Sequence, residues 1–250
     1  MHLSIIVPAY NEEKTLYKNI KIFNDYLSKQ GYDYEIIIVN DGSIDETEKI
    51  AKKLAAEINN LKLINNKINK GKGAAVRQGL LEAKGEYRLF IDADNATPIN
   101  HLEKAWPKFK QGHDIIIGSR SPKDAHGACQ AVSQSWWKRL LGTCGNLIIR
   151  KLAIKNIWDT QCGFKIFTRK AVENIIPKTT VNRWAVDAEI LAIAQLLNYK
   201  IAIIPVYWTN SPNSRVGIKE YFSTLKDVFK IKHNLNKAKS KIVNRKPRTF

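Results

Sequence analysis

No stretch of this 250-residue chain reaches the ~18 to 20 uninterrupted apolar residues that a bilayer-spanning helix needs. The opening MHLSIIVPAYNEE also lacks the charged n-region and cleavage site of a secretory signal. The expectation is therefore a chain that neither spans nor crosses a membrane. Cysteine is scarce. Cys129, Cys144 and Cys162 form an odd set at spacings of 15 and 18, which fits neither a disulfide framework nor a zinc pattern and points to the reducing cytoplasm. The five histidines stand at no metal-ligand spacing. Nucleotide fingerprints are missing too: in GKGAAV at 71–76 a valine, Val76, stands where a dinucleotide site requires its third glycine, and no GxxxxGK[ST] occurs. There is no internal repeat or long linker.

Acidic residues are short in one half only. Residues 1–125 hold 19 basic and 17 acidic residues, residues 126–250 hold 22 and 6, so most of the net +18 lies in the second half. That half is expected to meet something anionic. No nucleic-acid motif accompanies the charge and the acidic strand ends would repel phosphate, so nucleic acid is not the expected partner; residues 237–250, with six basic residues and no acidic one, would be drawn to an anionic membrane surface.

What is present is a foldable core, with 44% hydrophobic and 26% charged residues. Apolar, β-branched runs at 3–8, 34–39, 60–66, 86–92 and 114–118 are mostly separated by helical periodicity at 12–29, 44–58, 73–84 and 100–111. This βαβα alternation, with continuous rather than alternating apolar runs, predicts an α/β fold: a mostly parallel central sheet covered by helices on both faces. Beyond 125 the pattern changes to a helix at about 133–154, a turn-rich segment at 157–168, a helix at 185–197, a strand at 199–206 and a last helix near 218–233. These read as an elaboration, 126–210, on one domain of 1–210 whose first half is 1–125; a helix and basic tail follow at 211–250.

Ligands in such sheets sit beyond the carboxyl ends of the strands. Asp92 and Asp94 follow the apolar strand RLFI, and two hard oxygen donors suit Mg²⁺ or Mn²⁺ shared with phosphate oxygens. Asp41-Gly42-Ser43 ends another strand, with Ser43 expected to cap the next helix and Asp41 to face a base or ribose. Asp187 and Glu189 lie about 200° apart on a helix, so they are not expected to work as a close pair.

VPAYNE at 7–12, NDGSID at 40–45, NKGKGAAVRQG at 69–79, DAD at 92–94 and GSR at 118–120 together resemble the family 2 inverting glycosyltransferases of GT-A fold. DTQCGFKIFTRKA at 159–171 and RWAVDAE at 183–189 are similar to the dolichyl-phosphate β-glucosyltransferase branch, close to the mannose-phosphate-lipid synthases. The resemblance implies one hexose moved, with inversion, from a nucleotide-sugar bound by the half 1–125 to a polyprenyl phosphate met by the acceptor half 126–210, with UDP-glucose as donor; the alternatives are GDP-mannose as donor or a saccharide hydroxyl as acceptor. It places Pro8, Tyr10, Glu12, Asp41, Lys72 and Asp92 around the nucleotide, with Arg215 closing over the diphosphate. Asp92 and Asp94 hold the metal in that picture, while Arg120, Arg139, Thr143 and Lys165 face the acceptor phosphate. Asp159 falls on the acceptor side, and Asp187 or Glu189 meets donor hydroxyls or pairs with Lys165 or Arg183. Asp92, Asp94, Arg120, Asp159 and Asp187 are thus the candidate catalytic set. The synthases that polymerise sugar carry Q-x-x-R-W and spanning helices; here Thr180 stands at the first position before Arg183-Trp184, so chain polymerisation is not expected. A stripe of Trp136, Trp137, Leu140, Leu141, Cys144, Leu147, Ile148 and Leu152, and a second of Ile218, Tyr221, Phe222, Leu225, Val228 and Phe229, are candidate interfacial faces. With the basic tail, they would attach the protein peripherally to the inner face of the membrane.

Overall fold

Five strands and the helices between them alternate through the first half of the chain. The structure, a computed structural model, describes residues 1–130, 149, 154–209 and 218–243. Strands β1 (Leu3–Ala9), β2 (Tyr34–Asp41), β3 (Leu61–Asn66), β4 (Tyr87–Ile91) and β5 (Ile115–Ser119) lie within a residue or two of the apolar runs. Helices α1 (Leu16–Leu27), α2 (Thr47–Glu57) and α3 (Lys72–Glu82) follow the first three. The segment expected as a helix at 100–111 is instead a 3-10 turn, Ile99–Lys104, and a short α4, Trp106–Lys110, with Pro107 in its first turn. Proline has no N–H to continue a preceding helix, so the two pieces do not fuse.

The sheet runs β3-β2-β1-β4-β7-β5-β8. All neighbours are parallel except β7 (Phe164–Thr168), which inserts antiparallel between β4 and β5. This strand lies in the segment expected to be turn-rich. β8 (Ile201–Pro205) closes the edge, and β6 (Cys129–Gln130) pairs with β9 (Tyr207–Trp208) in a separate two-stranded ribbon.

Successive side chains of a strand face opposite sides, so Ile5 and Val7 pack with Leu16, Ile20, Phe23 and Leu54 of α1 and α2. Ile6, on the other face, joins Val76 and Leu80 of α3 and the helices of the second half. Those are α5 (Arg169–Ile175), α6 (Val186–Leu196) and α7 (Ile218–Val243). Both faces of the sheet are covered, which is why its strands read as unbroken apolar runs. The last helix is ten residues longer than expected. Among its described side chains the core contacts are Val228, Ile231 and Leu235, whereas Phe229 of the second proposed stripe is exposed. The first stripe lies outside the described residues; Ile149 within that region is buried in the core. Among the described residues no helix is long and apolar enough to cross a membrane.

Candidate active site

The turns after β1 and β2 are laced to each other. Ser43 Oγ donates to Asn40 Oδ1 (2.5 Å) and accepts from the Asn11 N–H (2.8 Å), so it ties turns together rather than capping α2. Asn11, at φ 53°, accepts from the Ile44 N–H (2.9 Å), and Thr47 Oγ1 accepts from the Glu12 N–H (2.7 Å). Pro8 and Tyr10 flank this junction, Pro8 in register with Val39 and Tyr10 at the surface. Asp41 is almost fully buried, and its carboxylate accepts the N–H groups of Lys70 (2.9 Å) and Gly71 (2.7 Å). It therefore holds the glycine-rich loop in place at the strand end. Gly71 has φ 98°, and a methyl group there would lie 2.4 Å from the Asn182 carbonyl oxygen. Only glycine gives both the backbone conformation and that close approach.

This loop delivers Lys72 to the carboxylates beyond β4. Lys72 Nζ lies 2.7 Å from Asp92 Oδ1 and sits 5.2 and 5.3 Å from the ring centres of Phe90 and Trp184. Burial alone would lower the Lys72 pKa, but Asp92, Asp187 and Asp94 outweigh it and raise it. The Asp94 carboxyl is pushed up to about 6 by burial and by the charge of Asp92, with Glu12 adding to the repulsion. Asp94 Oδ1 accepts the Ala96 N–H at 3.0 Å. From α1, buried Asn19 donates to the Ala93 carbonyl (2.8 Å) and fixes the turn between the two aspartates.

Two crowded carboxylates, that of Asp94 with its pKa raised, are a donor set that a divalent cation would relieve. Among the described residues no group of three or more His, Cys, Asp or Glu gathers into a closed cage. Buried Asn95 Oδ1 has no hydrogen-bond partner there either. The residues fit a hard cation held by few protein oxygens and completed by phosphate oxygens.

Gly163 was not among the expected site residues. The Asp92 N–H donates to its carbonyl (3.2 Å), and a methyl group on Gly163 would lie 1.8 Å from Asp92 Oδ2. Gly163→Ala is expected to displace the Asp92 carboxylate and lower kcat by about 100-fold with little change in melting temperature. Wild-type turnover in that variant would mean that the working enzyme does not hold Asp92 in this orientation.

One strand pair below, Lys165 is fully buried. Its Nζ donates to Asp187 Oδ1 (2.5 Å) and to the Cys162 carbonyl (2.5 Å), and Asp187 is itself 2% exposed. In this state the pair stands behind the site, and Lys165 is not presented to an acceptor phosphate. Glu189 accepts from the Thr180 N–H, the Thr180 hydroxyl and the Val181 N–H at 2.8–2.9 Å, so the two acids on α6 serve different partners. Arg77 braces the same segment through Thr179 and Asn182.

Arg120, at the end of β5, forks onto Asp159: Nε to Oδ2 at 2.7 Å and Nη2 to Oδ1 at 2.8 Å. Burial opposes charge on both partners, but the ion pair prevails, raising the Arg120 pKa and lowering that of Asp159. The guanidinium also covers the Trp208 ring at 5.3 Å and feels Asp92. Asp124, unforeseen from sequence, orders this corner by accepting from Ser119 Oγ (2.7 Å) and the N–H groups of Trp158 (2.7 Å) and Asp159 (2.8 Å). Arg139, Thr143 and Arg215 lie outside the described residues. The structure thus gathers Glu12, Lys72, Asp92, Asp94 and Arg120 at one end of the sheet.

The family model for Glycosyl transferase family 2 matches residues 4–176. A dolichyl-phosphate β-glucosyltransferase of Trichomonas vaginalis is 36% identical over 241 residues, 92% of this chain and 73% of the relative. The human dolichyl-phosphate β-glucosyltransferase is 37% identical over 231 residues, 86% and 69% of the two chains. Glucosyl-3-phosphoglycerate synthase of Mycobacterium tuberculosis, solved with Mn²⁺, UDP and phosphoglyceric acid, superposes with a TM-score of 0.68. That superposition covers 92% of this chain and 76% of the synthase at 18% identity, a likeness of fold.

Proposed function

Since the chain belongs to glycosyl transferase family 2 and is a hexosyltransferase, we propose that it transfers one glucose from UDP-glucose to a polyprenyl phosphate of the dolichyl type, with inversion at the anomeric carbon. One observation carries this reading: Asp92, Asp94 and Lys72 converge at the carboxyl end of the sheet in a chain about one-third identical to dolichyl-phosphate β-glucosyltransferases along most of its length.

Pro8, Tyr10, Glu12 and Asp41 would line the base and ribose, and Lys72, already beside Asp92, would reach the diphosphate. Asp92 and Asp94 would hold Mg²⁺ or Mn²⁺, which when bound neutralises charge on the departing diphosphate. The acceptor phosphate oxygen attacks the anomeric carbon on the face opposite the diphosphate; the new C–O bond forms as the bond to UDP breaks. A phosphomonoester, with its second pKa near about 6, is already largely ionised at neutral pH and needs no strong base. The protein's arrangement accords with this, because Asp159 and Asp187, the acids expected near acceptor or sugar, are both held in ion pairs. Arg120 would offer the acceptor phosphate its outward edge while Asp159 fixes its plane. Arg139, Thr143 and Arg215 complete the proposal from sequence alone. The reaction takes place where the lipid lies, so we also place the protein peripherally at a membrane surface.

The test is transfer of radiolabel from UDP-glucose and, separately, GDP-mannose to a short polyprenyl phosphate with Mg²⁺ or Mn²⁺, read as organic-extractable counts. Counts from UDP-glucose alone, lost on chelation, are expected. Counts from GDP-mannose alone would overturn the donor, and none from either would overturn the lipid acceptor.

A further inference from the structure

Among the described side chains of the last helix, residues 223–237, those packed into the core lie along one side. Val228, Ile231 and Leu235 are buried, whereas Lys226, Phe229, Lys230, His233 and Lys237 are exposed. Residues three and four apart share a helix face, so this is one continuous surface. Phe229 is 60% exposed. Lys226 and Lys230 on either side of it enter no ion pair among the described residues. Residues 218–243 hold seven lysines and two acidic residues.

The position of this face is as informative as its composition. Asn234 Nδ2 donates to Thr180 Oγ1 (3.3 Å), which joins α7 to the segment that Glu189 holds. Burial pushes the Asp227 carboxyl up against the pull of Lys230, Arg183 and Lys226, so Arg183 is a neighbour of the same helix turn. Arg183 Cγ would lie 3.2 Å from a methyl group on Gly71, and Trp184 covers Lys72. The exposed face of α7 therefore lies at the end of the molecule where the site is.

We propose that the Lys226–Phe229–Lys230 face of α7 is the surface by which the protein docks on an anionic lipid bilayer, beside the mouth of the site. This deepens the lipid-phosphate reading above and rests on it for the occupant. Lysines near such a surface gain from its negative potential, and an exposed aromatic ring gains by entering the boundary between headgroups and acyl chains. A nucleic-acid duplex would attract the lysines equally but offers Phe229 no apolar medium.

The experiment is co-sedimentation of the full chain with vesicles of phosphatidylcholine alone or of equimolar phosphatidylcholine and phosphatidylglycerol. Wild type is expected to prefer the anionic vesicles. K226Q/K230Q should bind them about 30-fold more weakly, and F229A about 10-fold more weakly. All three sites are on the surface, so melting temperatures should match wild type. The control K29Q/K110Q removes equal charge from the opposite end of the sheet, where α1 and α4 finish, and should bind as wild type does. Equal vesicle binding by K226Q/K230Q and wild type, no preference for anionic vesicles, or duplex DNA held as tightly as vesicles would each overturn the proposal. Transfer to a short detergent-dispersed polyprenyl phosphate should be unchanged in K226Q/K230Q. Vesicle binding that depends on this face, with no transfer to lipid phosphate by wild type, would overturn the acceptor reading while leaving the docking surface standing.

Discussion

Asp94→Asn is expected to reduce sugar transfer by about 1,000-fold or more and at the same time to stabilise the protein in the absence of a divalent cation. Both effects follow from one arrangement. The Asp94 carboxyl is pushed up to about 6 by burial and by Asp92, against an ordinary value near 4 in the unfolded chain. The folded state therefore disfavours the charged form. The penalty is absent below about pH 4, grows as pH rises toward 6, and is fully present above it, where it amounts to about 2–3 kcal/mol. Asparagine removes the charge and keeps an oxygen for the Ala96 N–H. Urea unfolding of wild type and D94N at pH 4, 6 and 8 without divalent cation should give a stability gap that opens with pH in favour of the variant. Mn²⁺ with UDP should then stabilise wild type and leave D94N unmoved. A gap independent of pH, or a D94N enzyme that still transfers, would remove Asp94 from the cation site.

Asp187→Ala is expected to cost about 3–5 kcal/mol of stability, because it leaves the Lys165 ammonium buried without its carboxylate. Both side chains are within 2% of complete burial, and no solvent can replace the lost partner. The double variant K165M/D187L should recover most of the loss, since an apolar pair of similar volume avoids the desolvation of two charges. Chemical unfolding of the three proteins is the measurement. A D187A protein that unfolds like wild type but has lost transfer would instead make Asp187 a group that works on the substrate, and the buried pair a feature of the resting state.

These two residues differ in how much of their role could be read from the chain. Asp94 follows an apolar strand in a βα alternation, and the ends of parallel strands are where such sheets put their chemistry. Its position was legible because strand, turn and carboxylate are neighbours in sequence. Asp187 was singled out as a candidate catalytic acid on a helix, and donor hydroxyls, Lys165 and Arg183 were all left open as its partners. The choice of Lys165 depends on β7, and FKIFT, with a lysine at its second position, carries no local signature of a strand buried in mid-sheet. Gly163 and Asp124 were missed for the same reason: Asp92 for the first, and Trp158 and Asp159 for the second, are brought together with them only by the chain's return path. Arg120 and Asp159 were both singled out, but their bidentate pairing, between residues 39 apart, was not.

By itself the sequence determined the alternation of strands and helices, the burial of the sheet on both faces, the carboxylates at the end of β4 and the glycines of the loop that carries Lys72. Each is a short-range property, set by side-chain periodicity or by backbone conformation within a few residues. The tertiary structure alone decided that β7 inserts antiparallel between β4 and β5, that Lys165 pairs with Asp187 rather than Arg183 doing so, and which side of α7 faces water. Those outcomes turn on which distant groups can be brought together without leaving a buried charge or polar atom unpaired, and that selection is made by packing the whole chain.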